Sequence, residues 1–174
     1  MTVIEELRIP AAPERLWQLL VEEGGAAAVL PGLRAGTPGR GTLRATVGGH
    51  AVTYRGYGRQ HVDEPGRRVT WTLSGREVRG EGRAHLEVRA RFKAAPEGAC
   101  DLRLTVLVDG RGRLDEAGEE ARSRAVGQGI ARFRRALEHR LEEEGITAPV
   151  TASPPRRRAA PDRSWRSCRP PPLG

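Results

Sequence analysis

Between Thr42 and Gly110 apolar and polar residues alternate with a period of two, the period of a β-strand with one dry face and one wet face. No other feature constrains the fold so tightly, because the alternation restarts after every turn signal. Leu43, Ala45 and Val47 form one dry row, and the hairpin signal Gly48-Gly49 leads to Val52, Tyr54, Gly56, Gly58, Gln60 and Val62. Pro65-Gly66 turns the chain into Val69, Trp71 and Leu73. In the clearest run Gly80, Gly82, Ala84, Leu86, Val88, Ala90 and Phe92 point one way, and Glu81, Arg83, His85, Glu87, Arg89 and Arg91 the other. Past Pro96 to Gly98, Cys100, Leu102, Leu104, Val106 and Val108 complete the series. Five strands in an antiparallel meander, wet on one face only, are the expectation.

The flanks follow other rules. Thr2 to Ile9 carries Val3, Leu7 and Ile9 and is closed by Pro10, so a sixth strand is expected there. Pro13 suits a first helical turn, Glu14 suits the positive end of a helix dipole, and Leu16, Trp17, Leu20 and Val21 recur at helical spacing. Gly24 and Gly25 stop this helix, and Ala26 to Leu30 make a second short one before Pro31-Gly32. From Leu114 to Glu144 the period is 3.6, with Leu114, Ala121, Ala125, Val126, Ile130, Phe133, Leu137 and Leu141 in one stripe, and Gly145 closes it.

An α+β domain results: a curved antiparallel sheet of about six strands wrapped around a long C-terminal helix, with two short helices after the first strand. The first half of that helix carries Gly118, Ala121, Ala125 and Gly129, and the second half Phe133, Leu137 and Leu141. Against a curved sheet the small half leaves an apolar void and the large half packs solid. The residues expected to line the void are Leu30, Tyr54, Gln60, Trp71, Leu86, Val106, Ala121, Ala125 and Gly129.

The domain is expected to span 1–146 of the 174 residues, followed by a disordered basic tail over 147–174 that is rich in proline and arginine, with six of the 13 prolines between Pro154 and Pro172. The net charge of +8 does not make this a nucleic-acid binder. Six arginines and one aspartate lie beyond Val150, leaving a surplus of only three positive charges in the body. Lys93 is the only lysine, so arginine abundance itself carries little information. No apolar stretch is long enough to span a bilayer, and Glu5 and Glu6 stand where a secretory leader would be basic, so a protein neither secreted nor membrane-spanning is expected. Cys100 and Cys168 form no disulfide framework. The expected location is the cytoplasm, with peripheral attachment at the inner membrane face left open through Arg156-Arg157-Arg158 and Trp165. A solvated extension is the favoured reading of that tail.

Catalytic and metal chemistry find little support. His50, His61, His85 and His139 lie at a hairpin or on polar faces with no second ligand at metal spacing, so neither metal nor cofactor is expected. Gly56-Tyr57-Gly58 and Gly80-Glu81-Gly82 echo part of a dinucleotide fingerprint but sit inside strands. Glycines at period two on a dry face either let the sheet bend or leave room for a ligand, and the two readings are compatible. No serine or cysteine shows a base partner. Tyr54, Gln60, Trp71 and Glu5 are the polar or amphipathic residues on the dry face. For Tyr54 and Trp71 a ligand head group is the favoured partner; for Glu5 and Gln60, satisfaction by neighbours or exposure at a sheet end.

The element order resembles the helix-grip fold of the START-like, or SRPBCC, superfamily. Over Met1 to Leu141, the strings IPAAPERLWQLL (Ile9 to Leu20), VLPGL (Val29 to Leu33), YRGYGRQHVDEPGRRVTWTLSG (Tyr54 to Gly75) and GEGRAHLEVRARF (Gly80 to Phe92) look like the G-subunit family of carbon monoxide dehydrogenase. That resemblance implies an accessory protein to a molybdenum hydroxylase, binding a lipid or isoprenoid quinone in its cavity and assisting at the membrane. Family members can end in an apolar anchor; the tail here is basic and proline-rich instead. A polyketide cyclase or aromatase using the same cavity, with Glu5 or Tyr54 moving protons, is the alternative, as is a surface adaptor with a collapsed cavity.

Overall fold

The computed structural model describes residues 1–22 and 26–147. Its strands are β1 (Thr2–Ile9), β2 (Leu33–Ala35), β3 (Arg40–Val47), β4 (His50–Asp63), β5 (Arg68–Glu77), β6 (Arg83–Ala94) and β7 (Cys100–Arg111). The helices are α1 (Pro13–Trp17), which runs on through a π-helical turn at Gln18–Glu22, then α2 (Ala26–Val29), α3 (Arg113–Glu116) and α4 (Gly118–Thr147). All strands join one antiparallel sheet in the order β1-β7-β6-β5-β4-β3-β2. The N-terminal strand thus returns to the last one, with Thr2 opposite Leu107 and Ile9 opposite Cys100.

The sheet has seven strands where six were expected. The extra one, β2, is three residues long, too short for a period of two to show. It enters from Gly32 at φ +75°, where a Cβ would lie 2.1 Å from the Arg44 carbonyl oxygen. The strand expected from Gly80 begins at Arg83. The helix expected as one piece from Leu114 is broken at Gly118, whose φ is +81°, and continues past Gly145 to Thr147. The stop signal at Gly24-Gly25 and the expected tail beyond Thr147 lie outside the described residues.

Alternation decides what is buried. Val52, Tyr54, Val69, Trp71, Val88, Ala90, Phe92 and the even residues Cys100 to Val108 face inward, toward α1, α2 and α4. Val62 breaks the pattern and is exposed, near the end of the long strand β4. At one end of the molecule packing is dense: Ile9, Leu16, Leu19, Leu20, Leu102 and Leu137 are all fully buried. There Trp17 meets Phe92 edge to face at 5.3 Å, with Arg67 over the indole ring. Arg15 pairs with Glu144 and ties α1 to the far end of α4.

Candidate functional site

At the opposite end the helix is thin and the sheet is not filled. A cavity of about 200 Å³ lies between the inner face of β3 to β7 and the stretch of α4 from Arg122 to Phe133. Its walls are almost wholly apolar: Leu43, Leu73, Leu86, Val88, Val106 and Val108 from the sheet, Leu114, Ala125, Val126 and Ile130 from the helices. Arg44, Thr46, Gln128 and Arg132 also border it and are exposed, marking a polar mouth between β3 and α4. A second cavity of about 200 Å³ adjoins it under the β2–β3 turn and shares Leu43, Tyr54, Leu73, Ala84 and Leu86 as walls.

Six of the nine residues expected to line the void do so: Leu30, Tyr54, Leu86, Val106, Ala125 and Gly129. The other three do not. Trp71 is buried, but its Nε1 donates to Gln60 Oε1 at 2.7 Å, so the indole is satisfied by a side chain and not by a ligand. Gln60 is exposed, and its Nε2 donates onward to the Val21 carbonyl at 3.3 Å. The cross-strand register places these two residues directly opposite each other, a proximity that period-two reading of each strand alone does not reveal. Ala121 is half-buried against the β3–β4 turn, beside Gly48. Glu5 is exposed on the edge strand β1 and borders neither cavity.

Two polar atoms within this apolar setting have no hydrogen-bond partner among the described residues: Tyr54 Oη and Arg122 Nε. Tyr54, only 4% exposed, projects from β4 at the wall common to both cavities. Burial, and after it the carboxylate of Glu77, push its phenol above the ordinary tyrosine range, so at neutral pH it keeps its proton and donates. Arg122 projects from α4 into the first cavity; its Nη1 reaches exposed Asp115 at a long 3.4 Å, leaving Nε–H unbonded. Sequence reading passed over Arg122 because arginines are everywhere in this chain. Its place in the helical stripe, four residues before Val126 and seven before Gly129, is the signal that finds it.

Glu77 was also missed. It is the one charged residue buried among the described residues, and it stands opposite Tyr54 in register. Its Oε1 accepts the Arg113 backbone N–H at 3.1 Å, holding the junction of β7 and α3. A Cβ on Gly82 would lie 2.1 Å from that oxygen, and one on Gly80 2.3 Å from the other. These two glycines therefore make room for a carboxylate, not for a ligand. Gly56 serves curvature: a Cβ there would meet the Ser74 carbonyl oxygen of β5 at 1.8 Å.

The expectation that no serine has a base partner is corrected. Ser74 Oγ and His85 Nδ1 lie 2.8 Å apart as cross-strand partners on the outer face of β5 and β6. His85 is exposed, and among the described residues no carboxylate bonds its other ring nitrogen. Buried Cys100 is a free thiol, which burial pushes above the ordinary cysteine range, away from reactivity. Among the described residues no three His, Cys, Asp or Glu side chains are grouped to hold a metal ion. No described helix is long and apolar enough to cross a membrane.

No protein-family model and no curated protein sequence matches the chain. Solved structures do. A conserved protein from Geobacillus kaustophilus superposes with a TM-score of 0.69 at 11% identity, over 83% of this chain and 97% of that one. A START superfamily protein from Mycobacterium smegmatis gives 0.58 at 14%, over 82% and 98%. The Zhui aromatase/cyclase from Streptomyces sp. R1128 gives 0.57 at 20%, over 85% and 97%. At such identities the likeness is one of fold: the helix-grip fold, a curved antiparallel sheet closed around a long C-terminal helix.

Proposed function

We propose that this chain is a binding protein for a small apolar molecule, held between the sheet and the slender half of α4. The observation that carries the reading is the cavity itself, about 200 Å³ between aliphatic walls, at the opposite end of the molecule from its densely packed core. A dry cavity of roughly 150 Å³ suffices to admit benzene, so this one takes a ring or a medium-length chain. Each methylene moved from water into such walls contributes roughly 0.8 kcal/mol before the costs of association. The proton-transfer chemistry of a cyclase is less well supported, since of Glu5 and Tyr54 only Tyr54 borders the cavity.

In its narrower form the proposal follows the resemblance to the carbon monoxide dehydrogenase G-subunit family. The ligand is then the ring end of a lipid or isoprenoid quinone, with its tail leaving by the mouth between β3 and α4. The partner is a molybdenum hydroxylase, and the arginine-rich tail meets the membrane surface.

Organic extraction and native mass spectrometry of the purified full chain test the reading. A copurifying apolar molecule is expected, and it should be lost from Ala125→Leu, whose added carbons occupy the cavity. Protein that emerges empty and takes up no apolar probe on titration overturns the proposal.

A further inference from the structure

Resting on that reading, we propose that the ligand is an apolar organic acid, its carboxylate accepting hydrogen bonds from Tyr54 Oη and Arg122 Nε inside the oily chamber. The two donors come from opposite walls, β4 and α4, and both border the same cavity. Each of these atoms is buried with no partner among the described residues. A hydroxyl and a guanidinium N–H left unpaired away from water are costly, and natural cores almost always pair them. The walls around them are mainly aliphatic, so an acceptor carried on the ligand would pair both donors.

The charge narrows the ligand class further. The guanidinium is a cation, and its side chain is only 17% exposed. Its one protein contact among the described residues is the 3.4 Å approach to Asp115, which is itself well exposed and screened by water. An alcohol or ketone would satisfy a donor and leave the buried cation uncompensated. A carboxylate does both, with two oxygens for two donors from different elements. Glu77, the carboxylate nearest Tyr54 in register, is engaged by the Arg113 N–H and does not take this role. At the mouth, exposed Arg44 and Arg132 favour the approach of an anion. The cavity volume limits the apolar part to a medium chain or a compact ring system.

Calorimetric titration of the full chain with decanoate and with 1-decanol, at about 0.15 M salt to damp long-range attraction, reads the head-group preference directly. Decanoate is expected to bind about ten- to a hundredfold more tightly than decanol, the range for hydrogen bonds to a charged group. Arg122→Met and Tyr54→Phe should each remove most of that preference, weakening decanoate binding far more than decanol binding. Arg124→Gln, on the exposed side of α4, should preserve it. Equal binding of the two probes, or a preference that survives both cavity variants, overturns this inference and leaves the carrier reading standing. Binding of neither probe overturns the carrier reading, and this inference with it.

Discussion

Tyr54 is where stability and binding pull apart. A buried tyrosine hydroxyl with a partner stabilises a protein, whereas one without a partner costs about 1–3 kcal/mol of desolvation. Tyr54 Oη belongs to the second kind among the described residues. Tyr54→Phe is therefore expected to raise the stability of the ligand-free protein by about 1 kcal/mol, seen as a higher Tm in thermal unfolding. A fall of similar size would mean that the hydroxyl is already satisfied. Trp71 is the contrasting case, its indole bonded to Gln60 at 2.7 Å. Both residues read alike as amphipathic side chains on an inward face. Only their neighbours distinguish them, and those neighbours stand on other strands.

At the scale of elements, the outer face of the sheet carries an unbalanced row of charge. Arg55 stands opposite Arg76, Arg76 opposite Arg83, and Arg83 opposite Arg111, across four strands. All four are exposed. At the other end of the sheet a similar row, Arg68, Arg91 and Arg103, is flanked by Asp63 at 2.7 Å from Arg68 and by Glu6 opposite Arg103. Like charges directly opposite destabilise a strand pair, and opposite charges stabilise it, by roughly 0.2–1 kcal/mol each. Arg76→Glu places a carboxylate between two arginines and should raise stability by about 0.5–1 kcal/mol at low salt. The gain should shrink as ionic strength rises, because the pairs are exposed. Denaturant midpoints at two salt concentrations check this; a loss at low salt would refute the electrostatic account of the row.

For the molecule as a whole the governing fact is asymmetry along α4. Leu137, fully buried, closes the dense end, and Ala125 borders the cavity. Leu137→Ala should cost about 2–5 kcal/mol, because the tightly packed residues around it cannot collapse into the space left. Ala125→Leu enlarges a side chain where space already exists, so its effect should stay below about 1 kcal/mol even as it blocks binding. Urea unfolding of the two variants compares them on one scale. Comparable losses would show that both ends of the helix are equally packed.

Periodicity along the chain was enough for the strands, the helices and the contrast between the slender and bulky halves of α4. Such patterns follow from local geometry, in which side chains alternate or recur every 3.6 residues whatever lies around them. The three-residue strand β2 escaped because it is shorter than the pattern needed to detect it. The break at Gly118 escaped because the apolar stripe runs across it. Most of the cavity lining was legible in the same way, since Leu86, Val106, Ala125 and Gly129 lie on faces that periodicity assigns inward. Which polar groups there are satisfied was a matter for the tertiary structure alone. Hydrogen-bond partners such as Gln60 for Trp71, Ser74 for His85 and the Arg113 backbone for Glu77 meet only through strand register and chain return. The same long-range packing leaves Tyr54 and Arg122 facing one cavity unpaired, because whether a donor finds an acceptor depends on what lies across the gap and not on its neighbours along the chain.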